Sequence, residues 1–192
     1  LLFVKVGHRQ ELGLPMVHSE THFSKNDGTS EKCEWHLADE AATQAFAEAC
    51  AQLCRDESAF QPGLVVYLQG DLGAGKSFFS RAFIQCFLPN QKVKSPTYTL
   101  VETYPTDHGP ILHFDLYRLC DPEELEFLAI RDLMTPPFIA LVEWPSKGAG
   151  ILPEADLRIE LAPDGTGRKV SITPMKPAFE AFVRKLTKKL AW

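Results

Sequence analysis

Eight consecutive residues, Gly70-Asp71-Leu72-Gly73-Ala74-Gly75-Lys76-Ser77, fit the pattern G-x-x-x-x-G-K-[ST] and restrict the fold more than any other stretch of this chain. Such a loop wraps closely because its glycines adopt backbone conformations that a Cβ forbids, and its N–H groups then turn inward as an anion cradle. It belongs at one place in a fold, the turn from a buried strand into a helix whose N-terminal dipole adds to the anion site. Both neighbours are present. Leu64-Val65-Val66-Tyr67-Leu68 is a β-rich run opened by Pro62-Gly63, and Phe79, Phe83, Cys86 and Phe87 share one helical face until Pro89-Asn90. In this pattern Lys76 reaches the β- and γ-phosphates of a nucleotide and the Ser77 hydroxyl ligates Mg²⁺. Asp71, Leu72, Gly73, Ala74, Gly75, Lys76 and Ser77 are the expected binding residues.

The remaining segments alternate between strand and helix patterns. The expected class is α/β: a P-loop NTPase fold with a central, mostly parallel sheet flanked by helices, ending in a β-hairpin and a helix. Its 192 residues suit one domain with a sizeable core. Ala42, Phe46, Ala49, Cys50 and Leu53 recur at helical spacing and predict an amphipathic helix from about Asp39 to Cys54. Thr97–Thr103 and Ile111–Leu116 read as strands, and Asp121-Pro122-Glu123-Glu124 opens a short helix to about Leu128. Phe138–Val142 is a second fully apolar strand. Leu157–Leu161 and Lys169–Thr173 flank Asp164-Gly165-Thr166-Gly167 as a hairpin, and Ala178–Leu190 is a last helix. Residues 1–33 differ. Val17 to Lys32 is rich in small polar residues without a sustained period and reads as part of a flexible arm, ahead of a P-loop domain over 34–192. The chain does not begin with Met, and Met16 fits a natural start, with residues 1–15 as upstream sequence.

A P-loop enzyme needs an acid at the end of a neighbouring buried strand to hold Mg²⁺, directly or through water. Two acids are placed for it: Asp115 after Ile111-Leu112-His113-Phe114, and Glu143 after Ile139-Ala140-Leu141-Val142. The second run is more uniformly apolar and makes the better central strand, so Glu143 is assigned to the metal together with Ser77. Asp115 is left to orient the attacking water or to hold a switch segment. Either acid can instead cap a helix or pair with Arg118 or Arg131. Ser95-Pro96-Thr97-Tyr98-Thr99 is dense in hydroxyls and follows the P-loop helix, where nucleotide-sensing segments lie. A plain turn leading into a strand explains its proline equally well. Lys76, Asp115 and Glu143 are the expected catalytic residues.

Charge narrows the functions. A protein that grips long duplex nucleic acid by itself is usually basic, whereas this chain carries a formal charge of −5, so any RNA contact is expected to be local or shared with a partner. No apolar run approaches about 18 residues, and no membrane span is expected. The five cysteines are odd in number, form no C-x-x-C pair and follow no visible secretory signal, which fits free thiols in a reducing cytoplasm. His18 and His22 have the spacing of two helical metal ligands, but without an H-E-x-x-H pattern they are not taken for a metal site. A GTPase should carry N-K-x-D, which is missing, and the D-x-x-G match at Asp164–Gly167 lies too late and in a turn. A nucleotide kinase should carry an arginine-rich lid, also missing. A non-catalytic nucleotide sensor that docks on a partner stays open.

Five segments, in order and spacing, resemble the bacterial TsaE (YjeE) family. They are Gly70–Ser77, Lys94-Ser95-Pro96-Thr97-Tyr98-Thr99-Leu100-Val101, His113-Phe114-Asp115-Leu116-Tyr117-Arg118-Leu119, Asp121-Pro122-Glu123-Glu124-Leu125-Glu126-Phe127 and Leu141-Val142-Glu143-Trp144-Pro145. The resemblance covers roughly residues 36–162 and is far more specific than the P-loop alone. It implies a cytoplasmic ATPase that converts ATP to ADP and phosphate with Mg²⁺ and supports threonylcarbamoyl modification of the adenosine next to the tRNA anticodon. It implies as partners TsaD, the threonylcarbamoyl transferase, and TsaB, its dimerising companion, with tRNA met through that complex. Carried over by motif, Lys76 contacts phosphate, Ser77 and Glu143 hold Mg²⁺, Asp115 is important for activity, Trp144 adjoins the metal acid, and Thr43 lies near the nucleotide. Ser77 stands where the family more often has Thr; both supply the hydroxyl. The N-terminal arm and the lysine-rich end match nothing in the family. Since no side chain can be named as an arginine finger, hydrolysis is expected to be slow alone and faster with partners.

Overall fold

Cys33-Glu34-Trp35-His36-Leu37 is a strand not among the expected elements: Cys33, Trp35 and Leu37 are buried and the two residues between them are half-buried. The computed structural model describes residues 32–190, and Val17–His18 in backbone alone. The arm expected over residues 1–33 therefore lies largely outside the described residues, as do the imidazoles of His18 and His22. Val17–His18 (β1) pairs antiparallel with Cys33–Leu37 (β2), His18 lying opposite His36.

Strands β3 (Leu64–Gln69), β4 (Val101–Tyr104), β5 (Ile111–Asp115), β6 (Ile139–Glu143), β7 (Leu157–Asp164) and β8 (Gly167–Pro174) join them in one sheet. The order is β1-β2-β8-β7-β3-β6-β5-β4. Pairing is parallel only among the four central strands, β7, β3, β6 and β5, and antiparallel outside them. Parallel strands need crossovers that place helices on the sheet faces, and the centre is where the helices are. Along β6, Ile139 and Leu141 enter one core with Phe46, Phe79, Phe83 and Leu186, while Ala140 and Val142 enter a second with Leu116, Leu125 and Ile130. Strand period puts alternate residues on opposite faces, so a strand covered on both must be apolar throughout.

Helices α1 (Glu40–Asp56), α2 (Lys76–Phe87) and α5 (Glu180–Leu190) cover the first core; the short α3 (Glu124–Phe127) and α4 (Ile130–Leu133) cover the second. Two boundaries differ from expectation. The strand expected from Thr97 begins at Val101, because Pro96–Leu100 is a turn closed by the Leu100 N–H donating to the Pro96 carbonyl at 2.7 Å, with Leu100 at φ +63°. The helix expected from Asp121 to about Leu128 is the shorter α3, and Ala129 at φ +49° separates it from α4, which is not among the expected elements. Cys50, Cys54, Cys86 and Cys120 are free thiols, and burial pushes those of Cys50 and Cys54 well above their ordinary range, so these two serve as small apolar side chains. Among the described residues no helix is long and apolar enough to cross a membrane.

Candidate functional site

The turn from β3 into α2 is the expected phosphate loop, with Gly75 in the left-handed conformation (φ +105°) at the helix N-cap. Glycine is required at two of its positions by close neighbours. A Cβ on Gly70 would meet the Leu161 carbonyl oxygen at 2.2 Å, and one on Gly75 would meet Arg168 Nε at 2.4 Å. The β7–β8 hairpin therefore presses against the loop at both ends, and Arg168 Nε donates to the Ala74 carbonyl at 3.0 Å.

Lys76 begins α2 and is 4 % exposed. Its Nζ donates to the carbonyls of Gly70 (2.6 Å) and Asp71 (2.8 Å) and stands 4.1 Å from the centre of the Trp144 ring. Burial lowers its pKa below the usual lysine value, opposed by the negative charges of Glu143, Asp115 and Asp71.

The two acids are the last residues of adjacent parallel strands, and Asp115 lies opposite Glu143 in register. Strand β6 lies between β3 and β5, so Glu143 is the acid beside the P-loop strand. Strand alternation sends His113, Asp115 and Glu143 to the face on which α2 packs. There Ser77 Oγ donates to Glu143 Oε2 at 2.9 Å, while Oε1 accepts from His113 Nε2 at 2.8 Å and from Ser80 Oγ at 3.4 Å. A carboxylate only accepts, so His113 donates from Nε2, and its buried Nδ1 has no partner among the described residues. Asp115 holds the turn ahead of β4. Its Oδ2 accepts from the Ser95 and Thr97 hydroxyls, the latter at 2.9 Å, and its Oδ1 accepts from the Tyr117 N–H at 3.2 Å. The segment Ser95–Thr99 is thus both a strand-leading turn and a hydroxyl-bearing wall tied to an acid.

These groups surround a cleft of about 360 Å³ lined by Leu72, Gly73, Gly75, Lys76, Ser77, Phe78, Ser95, Thr97, Asp115, Tyr117, Arg118, Glu143 and Trp144. It opens beyond the carboxyl ends of the central parallel strands, where open α/β sheets bind ligands. Most of the expected residues are brought together here. Asp71 and Ala74 back the wall without lining it: the Asp71 carbonyl accepts from Lys76, and Ala74 is fully buried. Thr43 is not brought to the wall; it is buried in the first turn of α1, its hydroxyl donating to the Asp39 carbonyl at 2.9 Å. Neither acid pairs with Arg118 or Arg131 among the described residues. The Arg118 guanidinium lies 4.4 Å from the centre of the Tyr98 ring, and Arg131 is on α4, outside the wall.

His113, Ser80 and Arg168 belong to the site and are not among the expected residues. His113 is legible as a polar residue inside an apolar strand, two positions before Asp115, and Ser80 as a hydroxyl one helical turn past Ser77. Arg168 carries no local signal. For Mg²⁺ the donor chemistry fits: Ser77 Oγ and Glu143 Oε2 are hard oxygen donors, the type this ion shares with phosphate and water. Glu143 is 2 % exposed and has hydroxyl and imidazole partners but no Lys or Arg ion pair among the described residues, an arrangement that a cation completes.

Comparison with known proteins identifies the family and the fold. The family model described as threonylcarbamoyl adenosine biosynthesis protein TsaE matches residues 37–170. The tRNA threonylcarbamoyladenosine biosynthesis protein TsaE of Haemophilus influenzae is 50 % identical over 116 residues, covering 60 % of this chain and 70 % of that protein. The protein of the same description from Bacillus subtilis is 30 % identical over 156 residues, covering 81 % and 94 %. The crystal structure of YdiB from Bacillus subtilis superposes with a TM-score of 0.65 at 25 % identity, covering 85 % of this chain and 99 % of that one.

Proposed function

The chain belongs to the TsaE family, and from that premise we propose that it hydrolyses ATP to ADP and phosphate in support of threonylcarbamoyladenosine formation in tRNA. The observation that carries the chemistry is the Ser77–Glu143 contact at 2.9 Å, at the floor of a cleft whose rim is the phosphate loop. Mg²⁺, when bound, would be held by Ser77 and Glu143 and would neutralise charge on the β- and γ-phosphates. Lys76 is desolvated in place, so its charge is strengthened toward any phosphate that replaces the Gly70 and Asp71 carbonyls. Trp144 covers that ammonium on one side and keeps water from it. Asp115 orients the attacking water and keeps Ser95 and Thr97 on the cleft wall, where their hydroxyls report the terminal phosphate. The partners are TsaD and TsaB in the cytoplasm, and tRNA is met through their complex, which suits a chain of net charge −5.

Titrating a fluorescent ATP analogue with and without Mg²⁺, together with phosphate release, tests this reading. Lys76→Ala should weaken binding roughly ten- to a hundredfold while keeping a cooperative thermal transition, because the ammonium exchanges its bonds to the Gly70 and Asp71 carbonyls for charge-assisted bonds to phosphate when nucleotide binds. Equal affinities at equal midpoints would overturn the nucleotide reading. Tight binding with no phosphate release, alone or with partners, would leave a nucleotide-sensing module.

A further inference from the structure

We propose that Arg168 is a positioning residue for nucleotide binding: its Nε–H fixes the Ala74–Gly75 peptide so that the Gly75 N–H faces the phosphates. The inference rests on the nucleotide reading above and assigns a part to a strand outside the phosphate-loop motif. Arg168 is the second residue of β8, far from the loop in sequence, and its Nε donates to the Ala74 carbonyl at 3.0 Å. That carbonyl lies just ahead of the helix ladder, whose first rung is Phe79 N–H to the Gly75 carbonyl at 2.9 Å. It therefore takes its hydrogen bond from the hairpin.

In a planar trans peptide the C=O of one residue and the N–H of the next point in opposite directions. With the Ala74 carbonyl drawn toward Arg168, the Gly75 N–H is turned away from the hairpin. Burial agrees: Ala74 is fully buried, whereas Gly75 lines the cleft. Gly75 also has the conformation and the bare Cα that let the guanidinium approach, since a Cβ there would lie 2.4 Å from Nε. An oriented N–H costs nothing to reorganise when phosphate arrives, whereas a free peptide must be ordered first. Arg168 itself is placed by the sheet. It lies opposite Leu37 on β2, and the neighbouring Gly167 is pressed so closely to that strand's end that a Cβ would meet the Leu37 carbonyl oxygen at 2.1 Å.

A pair of variants separates this hydrogen bond from the charge. Gln places Nε2 the same number of bonds from the backbone as Arg Nε, so Arg168→Gln keeps the donor and removes the guanidinium; Arg168→Met keeps the length and removes the donor. Mg–ADP affinity should fall roughly ten- to a hundredfold in Arg168→Met and return to within about threefold of wild type in Arg168→Gln. Binding in Arg168→Met equal to wild type, or in Arg168→Gln as weak as in Arg168→Met, would overturn the proposal. A measurement on the wild-type protein stands apart from any folding defect: the ¹⁵N resonance of the Gly75 amide should move strongly on addition of Mg–ADP, and an unmoved resonance in bound protein sinks the idea. Wild type that fails to bind Mg–ADP at all overturns the nucleotide reading itself, which distinguishes the two failures.

Discussion

Glu143 and Asp115 are both buried carboxylates at strand ends, yet their hydrogen bonds divide them. Glu143 gives one oxygen to the cleft-side Ser77 and the other to His113, while Asp115 spends its oxygens on Ser95, Thr97 and the Tyr117 N–H. A metal ligand needs one oxygen aimed at the hydroxyl that shares the ion, which is the arrangement of Glu143. Glu143→Gln should therefore weaken Mg²⁺-dependent nucleotide affinity by roughly tenfold or more. Asp115→Asn should leave that affinity within a few-fold and slow hydrolysis by about 10²-fold or more. Magnesium titrations of nucleotide binding, set beside single-turnover phosphate release, separate the two; metal affinity controlled by Asp115 would reverse the assignment. Both acids are legible in the sequence because each ends an apolar run. Their order in the sheet is legible too, from the more uniformly apolar run ahead of Glu143; the separate hydrogen-bond partners are not, since the fold brings Ser77 to one acid and Ser95 to the other.

At the scale of elements, α1 is tied to the fold at its first turn. The Asp39 side chain accepts from the Ala42 N–H at 2.8 Å, and the Thr43 hydroxyl returns to the Asp39 carbonyl. This end of the helix carries Phe46 into the core against Trp35 and Phe79 and stays off the cleft wall. Asp39→Ala should thus cost about 1 kcal/mol of stability by chemical denaturation and leave nucleotide affinity unchanged. A fall in affinity at unchanged stability would instead assign the α1 start, with Thr43, to the nucleotide. The helix itself is legible from its period, and so are the strand–loop–helix unit at the P-loop and the β7–β8 hairpin. What escapes is set by distant partners. The alternation in Cys33–Leu37 is a sound strand signal, yet it is short, and it becomes an element by pairing with β8 across most of the chain. Thr97–Leu100 has strand-forming residues but turns, because Asp115 collects its hydroxyls and Leu100 closes onto Pro96. Arg168 meets the phosphate loop only once the hairpin is folded onto it.

For the whole molecule the open question is where the last positive charge comes from. Charge that develops on a departing phosphoryl group needs donors beyond a loop lysine and a metal, and a supplied arginine is worth roughly 10³–10⁵ in rate. Arg118 is the arginine on the cleft wall, and its guanidinium is stacked on Tyr98, a ring that is 82 % exposed. Leu72, at the loop tip, is also largely exposed, so exposed apolar groups flank the cleft-wall cation that rests on Tyr98. A partner that covers Tyr98 can release Arg118 inward or bring an arginine of its own, and in either case closing the mouth excludes water. The isolated protein should then hydrolyse ATP slowly and accelerate at least about tenfold when the TsaB–TsaD complex is added, a modest share of what an arginine supplies. Steady-state phosphate release with and without that complex measures this, with tRNA added in a separate arm. Arg118→Ala locates the source. If stimulation survives it, the partner brings the charge; if stimulation is lost while nucleotide affinity holds, Arg118 is the group released. A lone protein already as fast as the assembled system would mean that the monomer's site is complete, with Arg118 free to leave Tyr98 unaided.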